Sequence, residues 1–306
     1  MSLAVLPHEI VVAILQIALD ATVVPSDVLC VCRLFRDLGT DHLYTHLKFT
    51  SAHQLRQFGH SEGPSPPIGP RSLAVDLAGR AQRGVLRDLC DALIKCRQLA
   101  SVAEGSETSR DMRLKRVRLR MYSYASDLEA VDVLQQGLQA ISPDTFEWTG
   151  PDPEHHFSTA IVPPVASCLF KQFSSWCNIR EIIVTNISFA TSSDPEGRYP
   201  PLLGEVPSLR SLYIGRATFL HAQGVAGMLC QGRMAHLGVI RLVDVYSESI
   251  WGPRLRRSDV EKAVAMLCGT KEQMAVIARV KRVVTCEKKT ERIVGGDRVE
   301  GTHILE

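Results

Sequence analysis

Four stretches of this chain share one spacing, with apolar residues at positions one, four and six. They are Leu114-x-x-Val117-x-Leu119, Ile179-x-x-Ile182-x-Val184, Leu209-x-x-Leu212-x-Ile214 and Leu237-x-x-Ile240-x-Leu242. Weaker copies are Leu73-x-Val75-x-Leu77, Phe146-x-Trp148 and Val280-x-x-Val283. Alternation at the end of each motif places its apolar residues on one buried side of a strand. Successive copies lie roughly thirty residues apart, with some longer gaps, the period of a unit made of a strand and a return helix.

The intervening segments read as those helices. Val85, Leu86, Leu89, Cys90, Leu93 and Ile94 make one apolar face at helical spacing, and Leu128, Val131, Leu134, Leu138 and Ile141 make another. A third face, entered through Pro163-Pro164, carries Val165, Leu169, Phe170, Phe173 and Trp176; a poorer fourth carries Val225, Met228 and Leu229. Ser258 with Glu261 reads as a capping box for a fifth helix, with Val260, Val264 and Leu267. Such an array predicts an α/β fold: right-handed crossovers, a parallel sheet and helices on its other face. The stretch Arg292–Gly301 predicts a closing hairpin or cap, since a terminal repeat would otherwise expose its core edge.

The first fifty residues follow a different pattern. Pro7 suits the opening turn of a helix, Glu9 complements its dipole, and residues 10–19 are apolar on nearly every face. Ile10, Ile14 and Ile17 form one stripe, and Val11, Leu15 and Ala18 the next. Beyond it come only Val28–Leu38 and a small cluster at Leu43, Tyr44 and Leu47. Three short helices cannot hide that much apolar surface among themselves, so a partner is expected to cover the remainder. The Gly/Pro/Ser tract from Gly59 to Pro70 can hold neither helix nor strand, and the domain boundary is expected there. The predicted organisation is an N-terminal module at 1–60, a linker at 61–70 and the strand-helix domain at 71–306.

Leu6-Pro-x-Glu-Ile10, Val31-Cys-Arg-x-Phe-Arg36 and Asp41-x-Leu43-Tyr44-x-x-Leu47, in that order and spacing, resemble an F-box of the fungal type. Leu47-Lys-Phe-Thr-Ser and Gln54-Leu-Arg-Gln-Phe58 resemble the exit segment of such proteins. The stretch Ala21–Asp27 departs from the family's usual leucine-rich second helix, so that helix is expected to be short or irregular. Residues 70 to 285 resemble the leucine-rich-repeat domains that often follow an F-box, with irregular repeats. The repeat family's asparagine is absent, and its place is held by Tyr122, Ile187, Ala217 and Val245. The resemblance implies a substrate receptor of a Skp–cullin–F-box ubiquitin ligase. Its adaptor-binding residues would be Leu6, Pro7, Ile10, Val11, Ile14, Val31, Cys32, Phe35 and Tyr44, with Phe35 as the anchor. The implied partners are a Skp-type adaptor, a cullin through it, and a target protein held on the repeats. The target-binding residues are not marked in the sequence. The alternative is a repeat-built interaction scaffold whose F-box has decayed and has no ligase role.

Composition narrows the other possibilities. A net charge of +2 over 306 residues does not argue for nucleic-acid binding. Nine cysteines without a Cys-x-x-Cys pair suggest neither a disulfide framework nor zinc, and point to a reducing compartment, cytoplasmic or nuclear. Cys90, Cys168, Cys230 and Cys268 read as small buried hydrophobes. The run Val11–Leu19 lacks a preceding basic residue and is too short to span a membrane, which argues against export or insertion. Gly59-His60-Ser61-Glu62-Gly63 fits the Gly-x-Ser-x-Gly pattern, but lacks the strand and helix a nucleophile elbow requires. His42 with His46 and His155 with His156 lack further ligands for a metal, and Cys30 and Cys32 read as packing residues. The basic clusters at Arg254–Arg257, Lys281–Arg282 and Lys288–Lys289 read as solvated faces. No enzymatic activity, metal or cofactor is expected.

Overall fold

The computed structural model describes residues 6–22, 24–61, 69–77, 83–104, 114–123, 128–153, 157–191, 199–231, 234, 236–293 and 296–306. Three helices come first: α1 (His8–Ala21), α2 (Pro25–Leu29) and α3 (Arg33–Thr45). Then β1 (His46–Phe49), α4 (Ala52–His60), β2 (Ser72–Asp76), α5 (Val85–Glu104), β3 (Arg116–Arg120), α6 (Leu128–Gln139), β4 (Thr145–Thr149) and α7 (Pro163–Phe173) alternate. The chain continues through β5 (Glu181–Ser188), β6 (Ser211–Thr218), α8 (Ala222–Cys230), β7 (Val239–Val245), α9 (Arg257–Leu267), α10 (Thr270–Val283), β8 (Val284–Ile293) and β9 (Gly296–Ile304).

Among the described residues, nine strands form one sheet in chain order. Strands β1 to β8 are parallel, and β9 closes the sheet antiparallel to β8. The predicted α/β class is therefore observed. Two buried rows cross eight strands without a break. One is Leu47, Leu73, Val117, Phe146, Ile182, Leu212, Ile240 and Val284. The other is Phe49, Val75, Leu119, Trp148, Val184, Ile214, Leu242 and Cys286. A period of two sets these side chains against the helices and leaves the alternate residues on an open face.

In the core beside β4, Phe146, Phe173 and Trp176 meet with ring centroids 5.3–5.4 Å apart. Both buried indoles find acceptors: Trp148 Nε1 donates to Met121 O at 3.0 Å and Trp176 Nε1 to Leu138 O at 3.1 Å. Those bonds remove the penalty a buried indole N–H would otherwise carry. Neighbouring helices pack in sequence, α4 on α5, α5 on α6, α6 on α7, and α8 on α9. Between α7 and α8 lies a cleft of about 340 Å³, walled by Phe170, Phe189, Phe219 and the stacked pair Tyr199–His221. Among the described residues, no helix is long and apolar enough to cross a membrane.

Several expectations need correction. The sheet reaches back past the boundary expected at 61–70: β1 pairs with β2 and α4 packs on α5, so its first strand starts at His46. Leu47-x-Phe49 lies in this first strand. Val280 and Val283 lie on α10, and the strand begins at Val284, because helix runs into strand with no loop between them. Helix α9 begins at Arg257, so the carboxylate receiving the cap N–H is Asp259, from Arg256 N at 3.0 Å. Glu261 instead pairs with Arg257 at 3.3 Å. Cys230 and Cys268, read as free thiols, are joined to each other across α8 and α9. The predicted hairpin is formed by β8 and β9; residues 294–295, the pair His155–His156 and most of the 61–70 linker lie outside the described residues.

The cysteines separate into three groups that alkylation will distinguish. Burial pushes the thiols of Cys96 and Cys286 up to about 12 and that of Cys168 to about 11. At neutral pH these, with buried Cys90, are protonated and shielded. In the native protein, iodoacetamide is expected to modify exposed Cys30, Cys32 and Cys177 and to spare the buried four. Cys230 and Cys268 should react only after reduction and unfolding, as read by peptide mass spectrometry.

Candidate docking surface

The N-terminal module is built on a narrow contact. Pro7 precedes α1, its carbonyl accepting from Ile10 N and Val11 N at 3.0 and 3.2 Å. Val11, Leu15 and Leu19, spaced by four, form the buried row of α1 among its described residues. That row faces Gly39 of α3, where a Cβ would collide with the Leu29 side chain and come within 3.2 Å of Leu19 Cδ1. A side chain at this position would require the Leu29 and Leu19 side chains to shift. Helix α2 is five residues long and contains no buried residue. Cys32 caps α3, its sulfur accepting from Phe35 N at 3.5 Å. A cleft of about 730 Å³, lined by Leu19, Leu29, Tyr44, Phe49 and Phe58 among others, lies between the module and the first strand and helix of the sheet domain.

The rest of the module's apolar surface is open. Among the described residues, eight of the fourteen large hydrophobic side chains that are exposed fall between residues 6 and 44. Ile10 is 47% exposed, Ile14 42% and Ile17 71%, and at helical spacing they share one face of α1. Leu6, Val24, Val31, Leu34 and Tyr44 complete the set.

The predicted contact residues divide accordingly. Leu6, Pro7, Ile10, Ile14, Val31, Cys32 and Tyr44 are exposed, and Phe35 is half-buried. Val11 is corrected: only 4% exposed, it belongs to the internal row because it stands four residues before Leu15. Helix α1 is thus apolar on two faces, one used internally and one not. Ile17 and Leu34, outside the predicted contact set, are also exposed, Ile17 on the Ile10–Ile14 stripe.

The open face of the sheet offers polar chemistry. Arg118 donates to Glu147 at 2.8 Å, Arg120 to Asp76 at 3.2 Å, and Arg241 grips both carboxylate oxygens of Glu287 at 2.7 Å while lying over the Tyr213 ring. Gly215 lets Tyr213 lie flat, since a Cβ there would come within 2.9 Å of that ring. A second device recurs one residue before Ile187, Ala217 and Val245. Asn186, Arg216 and Asp244 occupy equivalent positions in three consecutive strands, all with φ between 47° and 58°. Asn186 donates from Nδ2 to Ser158 O at 2.9 Å, holding the connection after β4 against β5.

The remaining candidates have ordinary partners. The hydroxyl of Ser61 donates to Phe58 O at the end of α4, and His60 pairs with Asp91 at 3.5 Å, so Ser61 is not directed at a base; Glu62 and Gly63 lie outside the described residues. The His42 and His46 rings are 5.1 Å apart, and His46 Nδ1 meets Ser72 Oγ at 2.9 Å. No group of three or more potential metal ligands occurs among the described residues. No family model, curated protein or solved structure matches the chain.

Proposed function

We propose that this chain is a substrate-recognition subunit of a Skp–cullin–F-box ubiquitin ligase. Its N-terminal helices dock on the adaptor, and its strand-helix domain, read as an irregular leucine-rich-repeat array, holds a target protein. The observation that carries this reading is the concentration of exposed apolar side chains on α1 to α3, ahead of a sheet domain that covers its own core. A monomer does not leave such a patch in water without a use for it. The order of the motifs from Leu6 to Leu47 supplies the identity of the partner. In this role the chain performs no bond chemistry; it converts an encounter between target and conjugating enzyme into a nearly intramolecular transfer.

The brevity of α2 supports the second reading, a scaffold whose docking module has decayed. Titrating the purified chain with a purified Skp-type adaptor separates the two. A saturable one-to-one complex is the expected outcome, with an affinity of about 1 μM or tighter for an interface of standard size. Absence of a complex at concentrations well above that refutes the ligase role and leaves the scaffold.

A further inference from the structure

The sheet domain carries a basic edge. In the residue just before each strand, the backbone extends the sheet's hydrogen bonding by one step. Arg71 N donates to Thr45 O, Lys115 to Arg71, Asp144 to Lys115, Arg180 to Asp144, Arg210 to Arg180 and Gly238 to Arg210, all at 2.7–2.9 Å. The residues Arg71, Lys115, Asp144, Arg180 and Arg210 therefore follow one another in register at about 4.8 Å per step, across about 19 Å. Arg116, the first residue of β3, adds a cation beside Lys115, and Glu181 adds an acid beside Arg180.

The edge differs from the rows behind it. There, Arg118, Arg120 and Arg241 are each neutralised by a carboxylate of the same sheet. At the edge, Arg71, Arg116, Arg180 and Arg210 are exposed and make no ion pair with another described residue. Along the strand starts Arg71, Lys115, Arg180 and Arg210 thus set four cations against one acid, Asp144, while Arg116 and Glu181 of opposite charge stand one residue further on, in a protein whose net charge is only +2.

We propose that this edge binds an acidic segment of a polypeptide, which names the chemistry of the target and rests on reading the sheet domain as the target-holding part. Carboxylates three or four residues apart on a helix lie about 5–6 Å from one another, close to the step of the ladder. A nucleic acid fits less well. The first row of the open face, His46, Ser72, Arg116, Thr145, Glu181, Ser211 and Val239, offers no Phe, Tyr or Trp on which bases could stack. Asp144 and Glu181 would also repel an unbroken line of phosphates.

The test is fluorescence anisotropy of the full chain with a labelled oligo-glutamate peptide, and separately with single-stranded DNA of equal charge. The peptide is expected to bind with an affinity that falls as salt rises. Joint substitution Arg71→Glu, Arg116→Glu, Arg180→Glu and Arg210→Glu should weaken it at least about tenfold, with the circular dichroism unchanged. Reversal of Arg87, an exposed cation on α5, should leave it unaltered within about twofold. If the fourfold variant misfolds, the pair Arg180→Glu and Arg210→Glu serves, with at least about a threefold loss expected. Equal or tighter binding of the DNA, or no response to either reversal set, overturns the proposal. Adaptor binding is measured on the same samples. Adaptor capture without peptide binding sinks only the basic edge, and peptide binding without adaptor capture sinks only the ligase reading.

Discussion

Asp244→Ala is expected to destabilise the sheet domain by about 4 kcal/mol, read as a fall in the denaturant midpoint. Pairing of β7 with β8 is registered only as far as Val243 with Glu287. Beyond that point β8 shifts register between Lys288 and Thr290 and turns its pairing to β9. The backbone N–H groups of Lys289 and Thr290 take a side chain instead: Asp244 Oδ1 accepts from Lys289 N at 3.1 Å, and Oδ2 accepts from Thr290 N and Thr290 Oγ1 at 3.0 Å each. Oδ1 also accepts from Arg254 Nε at 3.1 Å, and Arg254 lies over the Tyr246 ring. The carboxylate is 1% exposed. Alanine would remove the acceptor of two backbone donors and a hydroxyl, and would take its carboxylate from the Arg254 guanidinium, which keeps its bond to Thr290 O and whose side chain is 21% exposed. Breaking a buried pair in this way costs about 3–5 kcal/mol.

The backbone adds to the loss. Asp244 has φ 51°, a left-handed conformation that aspartate and asparagine tolerate and alanine adopts at a cost of about 1–2 kcal/mol. Asp244→Asn keeps the conformation and two acceptor positions but turns an amide N–H toward donors. Its loss should fall near half that of alanine, about 2 kcal/mol. A change of less than about 1 kcal/mol for Asp244→Ala would show that the strand end is held by packing and not by this carboxylate.

What could be read from the residues alone followed from how directly each feature is written in local spacing. The two buried rows are legible because strand alternation repeats in every copy, so Val117 with Leu119 and Ile182 with Val184 announce themselves. Leu47 with Phe49 offers only one alternation and follows a helical stretch, so its place in the sheet depends on β2, which lies beyond a Gly/Pro/Ser tract. Val280 and Val283 satisfy both a helix and a repeat, because α10 runs straight into β8. Asp244 carries no local mark at all; its role arises from a register shift more than forty residues later. The pairing of Cys230 with Cys268 likewise depends on α8 and α9 lying side by side. On α1, composition showed excess apolar surface, but only the position of α3 decides that Val11 turns inward and Ile10 outward.

That division of α1 into two faces allows the proposed docking to be tested without disturbing the fold. Ile10→Asp with Ile14→Asp is expected to weaken adaptor binding by about a thousandfold, close to 4 kcal/mol. Central apolar anchors contribute about 2 kcal/mol or more each when truncated, and an ionised carboxylate pressed into an apolar interface adds its own desolvation penalty. The fold should lose little, since neither side chain belongs to the Val11–Leu15–Leu19 row, and an acidic residue near the start of a helix complements its dipole. Val11→Asp is the reciprocal control: it should melt the module, losing helical signal and adaptor binding together. Adaptor affinity that survives the double substitution in a folded protein would place the contact elsewhere. The open stripe on α1 would then need another occupant, and the ligase reading would lose the surface on which it stands.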